Sequence, residues 1–336
     1  MNQSRFLKLD SIWKKGREFL GTEFPIMGGA MTWVSEKNLV SAISNAGGFG
    51  VLACGGMNVK ELESEIIETS KMTNKPFGVN LILMHPEIDD LINTCILNDV
   101  KFVVFAGGFP KKSQIEILKK KNIKTLAFAT TLSIAKKMIN NGVDALIIEG
   151  SEAGGHVGPV STNVLAQEIL PHIFEIPIFV AGGIGRGEIF LNYLQLGASG
   201  CQIGTRFVCA TESIAHQNFK NIFIKSEARN AQVSVQLDDR LPVIPVRAIN
   251  NKASKLFLDK QRSILKLLEK EEISLRNAQL KIERFWAGSL KKAVIDGDIE
   301  NGSLMAGQSV SLVKKEQTSK QIIKEIVEQA LEKLDP

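Results

Sequence analysis

A histidine within a glycine-rich loop is the strongest candidate for chemistry in this sequence. His156 lies in residues 149–158, EGSEAGGHVG, which directly follow the apolar run at 145–148. The unperturbed pKa of an imidazole is close to neutrality, so a histidine can give or accept a proton at physiological pH. Glycines on both sides would let a substrate come close to the ring. The loop therefore predicts a general acid or base at His156.

Two further glycine-containing segments have the residue types that bind phosphate. Gly182 and Gly183 follow an apolar run at 177–181, and Gly204 ends another run at 200–204, directly before Thr205. Backbone N–H groups are open to an anion where no side chain intervenes, and the start of a following helix adds partial positive charge. We interpret these two segments together as one phosphate-binding site.

The elements that must position these segments are short apolar strands that alternate with amphipathic helices. Eight runs rich in Val, Ile, Leu and Phe recur at intervals of roughly 20 to 30 residues, with helical patterns between them. They cover residues 24–27, 50–53, 77–82, 102–105, 123–128, 145–148, 177–181 and 200–204. Continuous apolar runs joined by helices predict parallel strands that are buried on both faces.

Eight such units predict an α/β fold, a (β/α)₈ TIM barrel. An open, doubly wound sheet is the alternative, but no G-x-G-x-x-G turn follows the first strand, as it does in many sheets of that type. Barrel enzymes carry their chemistry at the C-terminal ends of the strands. The His156 loop and both phosphate-binding segments fall at such ends.

The other residues at the predicted barrel mouth suit a flat ring system. Residues 28–30 (GGA) follow the first strand and would let rings lie against backbone, and Asn80 could hydrogen-bond ring heteroatoms. FMN fits these features together with the phosphate site. A sugar-phosphate substrate fits the phosphate site equally well, but barrels of that kind usually add a lysine or paired carboxylates at the strand ends. Here Lys101 lies at the start of its strand, which is the wrong end for catalysis, and Glu149 has no second carboxylate beside it in the sequence.

The alternation of strands and helices stops after about residue 219. Residues 252–286 have the apolar spacing of one or two long helices, and residues 319–334 that of another amphipathic helix. We predict a barrel over residues 1–219, a smaller helical lid subdomain over 220–310 that covers one barrel face, and a C-terminal segment, 311–336, whose helix packs back on the barrel.

Composition excludes several function classes. The net charge is only +5, without the long basic run of a nucleic-acid-binding tail. Residues 252–284 contain nine Lys or Arg against five Asp or Glu, an excess that could attract an acidic partner. The spacing of the four cysteines suits neither a zinc site nor an iron–sulfur cluster, so we expect no metal. Neither a long apolar span nor a signal-peptide pattern is present, which predicts a cytoplasmic protein without membrane or nucleic-acid partners.

Six motifs in order along the chain resemble those of the nitronate monooxygenase family, formerly called 2-nitropropane dioxygenases, which also contains the enoyl-acyl-carrier-protein reductase II enzymes. The resemblance runs from about residue 20 to the C-terminal helix. The motifs are PIMGGAMTWV at 25–34, NAGGFG at 45–50, PFGVN at 76–80, EAGGH at 152–156, AGGI at 181–184 and QIGTRF at 202–207.

The resemblance implies an FMN-binding TIM barrel with a smaller helical domain, and His156 as the catalytic residue. Carried over by position, Asn80, Gln167, Gly183 and residues 202–205 would contact FMN. With the glycine-rich segments described above, the predicted cofactor-binding set comprises Gly28, Gly29, Ala30, Met31, Asn80, Glu149, Gly154, Gly155, Gln167, Gly182, Gly183, Gln202, Gly204 and Thr205.

Three stretches are more similar to the enoyl reductases than to the other members: residues 207–220, 246–251 and 302–308, the last of which is expected to return to the flavin site. One departure is GGAM at 28–31, where such reductases typically have QGGM. This similarity favours a reaction in which NADH or NADPH reduces FMN and hydride then passes to an enoyl thioester. His156 would assist protonation or polarise the carbonyl group, and the acyl chain would lie under the lid.

Other functions stay open on the sequence alone. A nitronate monooxygenase would use His156 to remove the α-proton of a nitroalkane or to position a nitronate, with oxygen as the acceptor. NADH:quinone reduction is a third option within the family, and a non-enzymatic flavin-binding barrel is one outside it. The acyl carrier protein is a candidate partner of the basic segment, and the oligomeric state, a homodimer included, is not fixed.

Overall fold

The computed structural model describes residues 3–334, and its centre is a closed barrel of eight parallel strands. The barrel strands are β1 Ile26–Gly28, β2 Gly50–Ala53, β3 Phe77–Ile82, β4 Phe102–Ala106, β5 Lys124–Phe128, β6 Ala145–Glu149, β8 Ile178–Ala181 and β9 Gly200–Ile203, while the short strand β7, Gly155–His156, lies outside it. β1 pairs with β9 on one side and bridges Phe49, next to β2, on the other. All eight predicted strands are confirmed, and so is the TIM-barrel fold.

Helices connect the barrel strands, and further helices precede the first or follow the last of these strands. They are α1 Gln3–Leu20, α2 Lys37–Asn45, α3 Val59–Met72, α4 Ile88–Leu97, α5 Lys112–Lys119, α6 Leu132–Asn141, α7 Thr162–Ile169, α8 Gly187–Gln195, α9 Thr205–Val208, α10 Gln217–Lys225, α11 Lys252–Glu269, α12 Leu275–Val294 and α13 Ser319–Lys333. Side chains that the sequence places before apolar helical patterns cap several of them: Asn58 forms a capping box with Glu61 at α3, and Ser161 caps α7.

The apolar side chains form two layers because each barrel strand is buried on both faces. One layer fills the barrel interior and includes Met27, Val104, Ile147 and Phe179. The other lies between the strands and the surrounding helices, where Val79 and Ile148 are among the fully buried residues. Side chains alternate between the faces of a strand, so these two layers show which residues point inward.

Helix α1 closes the N-terminal end of the barrel. Phe19 and Leu20, at the end of α1, pack with the interior layer, and the Phe19 ring centroid lies 5.8 Å from that of Phe102. The Lys124 ammonium group, at the start of β5, lies 4.7 Å from the Phe19 ring centroid. A ligand can therefore enter the barrel only from its C-terminal end.

Gly16 in α1 shows how closely this helix packs on the barrel, and Gly288 in α12 is a helical glycine without close neighbours for comparison. A Cβ on Gly16, in α1, would lie 1.8 Å from the backbone oxygen of Ser199, whereas a Cβ on Gly288, in α12, would meet nothing within 4 Å. We expect Gly16→Ala to lower the free energy of unfolding by about 1–3 kcal/mol. Gly288→Ala should raise it by about 0.5–1 kcal/mol. Urea unfolding of both variants checks this, and a neutral Gly16→Ala would contradict the close packing.

The lid contains a small sheet in addition to its helices, and the sequence patterns did not predict that sheet. Besides α11 and α12, it contains β10 Ala231–Val233, β11 Val246–Ile249 and β12 Leu304–Met305, which form a four-stranded antiparallel sheet with β7 of the His156 loop. These strands are two to four residues long and come from distant parts of the chain. Such short strands have too few residues to show a two-residue apolar period.

An apolar cluster stabilises the lid, and α13 contacts the barrel. The lid cluster comprises Leu241, Val246, Phe257, Ile264, Leu265, Ala278, Ile282 and Trp286, with Phe285 and Met305 packed against it. At the other end of the chain, the side chain of Gln329 in α13 accepts a hydrogen bond from the backbone N–H of Gly187 at the start of α8. The boundaries 1–219, 220–310 and 311–336 stay a prediction.

Several compositional expectations can be compared with the described residues, 3–334. All four cysteines are buried free thiols, and burial raises the pKa of the Cys54 thiol to about 12. The described part of the chain has no cluster of three or more His, Cys, Asp or Glu side chains arranged for a metal ion. None of its helices is both long and apolar enough to cross a membrane.

Candidate active site

Three polar side chains point into the C-terminal mouth of the barrel. Asn80 and Gln202 lie between residues of the outer apolar layer on β3 and β9, so both point inward, and Glu149 follows the inward-facing Ile147 on β6. Ala181 pairs with Glu149 on one side and with Gln202 on the other. Because its side chain is only a methyl group, space is left above Ala181 between two polar neighbours.

These polar groups fit a ring system with hydrogen-bonding edges. Gln202 is only 7% exposed, yet within residues 3–334 its side-chain amide has no hydrogen-bond partner. The amide of Asn80, 4% exposed, donates to the backbone oxygen of Val104 at 3.0 Å, which leaves its own oxygen as an acceptor. Buried polar groups normally have partners, so these two amides are suited to a ligand such as a flavin ring.

The carboxyl group of Glu149 is half-buried at the mouth, and no other described residue bonds to it. Burial penalises the charged form and raises the pKa of this carboxyl group to about 8. At neutral pH the group is therefore largely protonated and can donate a hydrogen bond as well as accept one. It differs in this from a surface glutamate.

The raised pKa of Glu149 predicts a pH-dependent difference in stability between the wild type and Glu149→Gln, both without cofactor. Below about pH 4.5 the glutamate is neutral in the folded and unfolded states, so the two proteins should be similarly stable. As the pH rises towards 8, the Glu149 carboxyl group ionises freely in the unfolded state but stays largely protonated in the folded state. The free energy of unfolding of the wild type should therefore fall relative to that of the variant, by a few kcal/mol at most. Thermal unfolding between pH 4 and 9 checks this; parallel curves would contradict it.

The two predicted phosphate-binding segments lie on adjacent strands, after β8 and β9. Gly182 and Gly183 have φ angles of +96° and +72°, a left-handed turn that glycine adopts without steric cost. The backbone N–H groups of Gly183, Gly204 and Thr205 donate to no other described residue. Thr205 also begins the short helix α9. The segments therefore present unpaired N–H groups together, as a phosphate group requires.

The loop after β1 completes this side of the mouth. The backbone N–H of Gly29 donates to the oxygen of Ile203 at 2.9 Å, and Met31 lies against Gly204. The hydroxyl group of Ser35 accepts from the Met31 N–H and donates to the oxygen of Gly29, which fixes the loop. The structure thus brings residues 28–31 next to the phosphate-binding segments.

The His156 loop is held by the lid sheet. As part of β7, His156 pairs with Val246 of β11 and Gly155 pairs with Arg247. The guanidinium group of Arg247, which is buried, donates to the backbone oxygens of Ser151 and Ala231 and so joins the loop to β10. The loop that carries the candidate acid or base is fixed by residues roughly 90 positions away in sequence.

A segment from near the C-terminus packs on the same loop. Residues 304–308, here called the strap, lie so close that a Cβ on Gly154 would be 2.6 Å from the backbone of Ala306 and Gly307. The N–H of Gln308 donates to the oxygen of Glu152, and that of Gly307 donates to the hydroxyl group of Thr205. The strap therefore connects the His156 loop to the phosphate-binding segments, which agrees with the expected return of residues 302–308.

Helix α12 contacts the mouth from the lid side. The Nε2 atom of His156 lies 3.0 Å from a carboxylate oxygen of Glu283. One turn further along α12, the oxygen of Ala287 accepts from the indole N–H of Trp33 at 3.1 Å. Trp33 has a φ of +67°, a strained conformation for a residue with a side chain, which these lid contacts help to hold.

Among the predicted cofactor-binding residues, Gln167 alone is not brought to the mouth. It lies on the exposed face of α7, where its amide donates to the backbone oxygen of Asn163. The buried face of that helix, with Leu165 and Ala166, packs on the barrel instead. Gln167 was assigned by its position in the family resemblance. On a helix, an error of one or two residues in such an assignment selects a side chain on a different face.

The sequence did not single out several residues that shape the mouth. Glu283, Trp33 and Arg247 each contact a distant segment. Trp33 and Arg247 lie in stretches that carry the family resemblance, whereas nothing in the local pattern marks Glu283. Glu152 accepts hydrogen bonds from the backbone and hydroxyl groups of Thr162 and so fixes the loop to the start of α7. The motif EAGGH contains Glu152, so the motif itself was a usable signal for that residue.

The family follows from a match that covers nearly the whole chain. The sequence profile of the nitronate monooxygenase family matches residues 14–329. The chain belongs to this family. Nitronate monooxygenase family members are flavin-dependent oxidoreductases, so this chain is an oxidoreductase enzyme.

The names of individual relatives of this chain describe different activities. FabK from Thermotoga maritima superimposes with a TM-score of 0.82 at 35% identity, over 94% of this chain and 95% of that chain. The (3aS,4S,5R,7aS)-5-hydroxy-7a-methyl-1-oxo-octahydro-1H-indene-4-carboxyl-CoA dehydrogenase of Rhodococcus jostii is 30% identical, over 95% of this chain and 96% of that protein. A probable nitronate monooxygenase of Staphylococcus aureus is 30% identical, over 72% of this chain and 80% of that protein.

Proposed function

We propose that this enzyme reduces enoyl thioesters with NADH or NADPH through bound FMN. The observation that carries the proposal is the apolar lid cluster next to His156, at whose edge Phe285 and Met305 are only partly buried. The lid cluster reaches the His156 loop through Val246, the pairing partner of His156, and through Met305, which lies against Gly155. An acyl chain extending from a reacting group near His156 would find apolar side chains beside it, and a small nitronate has no need of them.

Two relatives that match nearly the whole chain support a thioester substrate. FabK is an enoyl-acyl-carrier-protein reductase II, and the Rhodococcus jostii dehydrogenase is named for a carboxyl-CoA compound. The probable nitronate monooxygenase matches a smaller part, 72% of the chain. Carrier-protein and coenzyme A thioesters share the reacting carbonyl group, so the shared chemistry is that of the thioester.

The residues of the mouth fit FMN, and each has a distinct role in the proposal. The unpaired N–H groups of Gly183, Gly204 and Thr205 would bind the phosphate, and Asn80, Glu149 and Gln202 would orient the ring. Bound FMN would supply hydride transfer from the nicotinamide to the alkene. His156 would give a proton to the carbon next to the thioester carbonyl group and regain one from water.

The partners follow from the same chemistry. An acyl carrier protein is acidic, and the basic excess at residues 252–284 lies on α11 and α12 of the lid. We propose that a carrier-protein thioester would approach from the lid side. A coenzyme A thioester, which also carries negative charge, would be attracted by the same residues.

Anaerobic flavin spectroscopy tests the proposal. After NADH or NADPH bleaches the oxidised-flavin absorption band, a crotonyl or longer enoyl thioester should restore it without oxygen. Longer acyl chains should restore it faster than crotonyl, because they reach more of the lid cluster. The alternative is a nitronate monooxygenase, supported by the family match. Bleaching by a nitronate alone, with no response to enoyl thioesters, would establish that alternative and overturn the reductase proposal.

A further inference from the structure

The contact between His156 and Glu283 crosses from the barrel to the lid. The two side chains are 40% and 28% exposed, and an isolated ion pair at that exposure stabilises a protein very little. Two independent sets of contacts nevertheless hold its two halves in place. The attraction between the two side chains therefore does not explain why they lie next to each other, whereas the contacts of the two segments that carry them do.

The Glu283 side of the contact is fixed by one stripe of α12. Glu283, Ala287 and Lys291 are spaced by four residues and so lie on the same face of the helix. Ala287 accepts the hydrogen bond of Trp33, and the Lys291 ammonium group lies 4.8 Å from the Trp33 ring centroid. On the neighbouring face, Ile282 and Trp286 are buried in the lid cluster. Helix α12 thus has little freedom to rotate Glu283 away from the mouth.

The His156 side is fixed by the backbone. β7 pairs with β11, and the N–H of Val157 donates to the oxygen of Pro245 at 2.9 Å. The ring can then turn only about its own side-chain bonds. Glu283 engages Nε2, and no described residue bonds to Nδ1.

We propose that Glu283 is a positioning residue for His156, supplied by the lid. A carboxylate 3.0 Å from Nε2 favours the form of the ring that carries its proton on that nitrogen and restricts the orientation of the ring. Nδ1 is then the nitrogen that exchanges a proton with the substrate. The acid–base unit is complete only when α12 lies on the barrel mouth. This inference rests on the proposed function for the identity of the substrate, but the geometry of the pair does not depend on it.

Rapid-mixing kinetics on the FMN-loaded enzyme test the role of Glu283. Reduction of the flavin by NADH needs no proton from His156, whereas reoxidation by crotonyl thioester does. We expect Glu283→Gln to slow reoxidation by about tenfold or more and to leave reduction and FMN affinity unchanged. In a His156→Ala background the same substitution should have no further effect, because the two residues act as a unit. Glu272→Gln, which removes an exposed charge in the middle of the α11–α12 connection, is the control for general electrostatic effects on the lid.

Nitrogen NMR of the histidine rings tests the pair without any substrate. The protein has four histidines, so His156→Ala identifies the His156 signals by their loss. We expect a protonated Nε2 in the wild type and a clear shift of that nitrogen in Glu283→Gln. Unchanged His156 signals in Glu283→Gln would overturn the proposal, and so would reoxidation at the wild-type rate.

The two tests separate this inference from the proposed function. If enoyl thioesters fail to reoxidise the wild-type flavin, the reductase function is wrong. Reduction of the oxidised flavin by a nitroalkane, which must first lose its α-proton to a base, then replaces the crotonyl half-reaction in the same comparison. A role confined to lid folding would slow both half-reactions or weaken FMN binding in Glu283→Gln, and it would persist in the His156→Ala background. That result would also overturn the proposal.

Discussion

Replacing His156 with alanine should slow reoxidation of the reduced flavin by an enoyl thioester by roughly 10²–10⁴-fold, the usual contribution of a positioned general acid or base. Flavin reduction by the nicotinamide should continue, because that step transfers hydride without a proton from the imidazole. FMN should stay bound, since the unpaired N–H groups assigned to the phosphate belong to other segments. Anaerobic stopped-flow measurement of the two half-reactions separates these expectations.

His172→Ala is the matched control for His156→Ala. His172 is exposed and ends the short 3₁₀ helix Leu170–His172, which precedes β8 and so lies towards the N-terminal end of the barrel, away from the mouth. It should leave both half-reactions unchanged. Wild-type reoxidation in His156→Ala would contradict the acid–base role, and loss of FMN in that variant would instead show that His156 stabilises the cofactor site.

Replacing Gly183 with alanine should weaken FMN binding by about tenfold to a hundredfold, the loss expected when a hydrogen bond to a charged group is disrupted. Gly183 has a φ of +72°, and an added Cβ would lie 3.1 Å from the Cβ of Glu152. Relief of that contact would move the backbone N–H of Gly183. Within the described residues this N–H has no hydrogen-bond partner, so it is open to a ligand. Fluorescence titration of the apoprotein with FMN gives the dissociation constant.

Gly197→Ala separates loss of the phosphate site from backbone strain. Gly197 has a φ of +107°, and an added Cβ would meet nothing within 4 Å. Both substitutions should lower the free energy of unfolding by about 1–2 kcal/mol through the left-handed backbone. Only Gly183→Ala should lose affinity for FMN. Equal dissociation constants in the two variants would place the phosphate elsewhere.

The barrel and much of its mouth could be predicted from the sequence because the signals are local. Each barrel strand is a continuous apolar run, and the candidate mouth residues lie within the last part of such a run, as Asn80 and Gln202 do, or in the loop that follows it, as His156 and Gly183 do. The family motifs contain the same residues, so the resemblance and the physical interpretation agree on them. Gln167 shows the limit of transfer by position, because a helix presents successive residues to different surroundings.

The lid was predicted less well because its structure depends on pairing between distant segments. β7, β11 and β12 begin at residues 155, 246 and 304 and have two to four residues each, too few for a recognisable apolar period. The sequence predicted the long helices α11 and α12, whose apolar period extends over many residues. It did not predict the sheet that joins those helices to the His156 loop.

The amino-acid sequence by itself determined the barrel, the order of its strands and the presence of His156 and the glycine segments at its mouth, since all of these follow from short-range apolar patterns. The tertiary structure alone decided which residues surround His156. It placed Glu283 at 3.0 Å from the imidazole and the strap against Gly154. Those contacts join residues more than a hundred positions apart, where local patterns carry no information about distance.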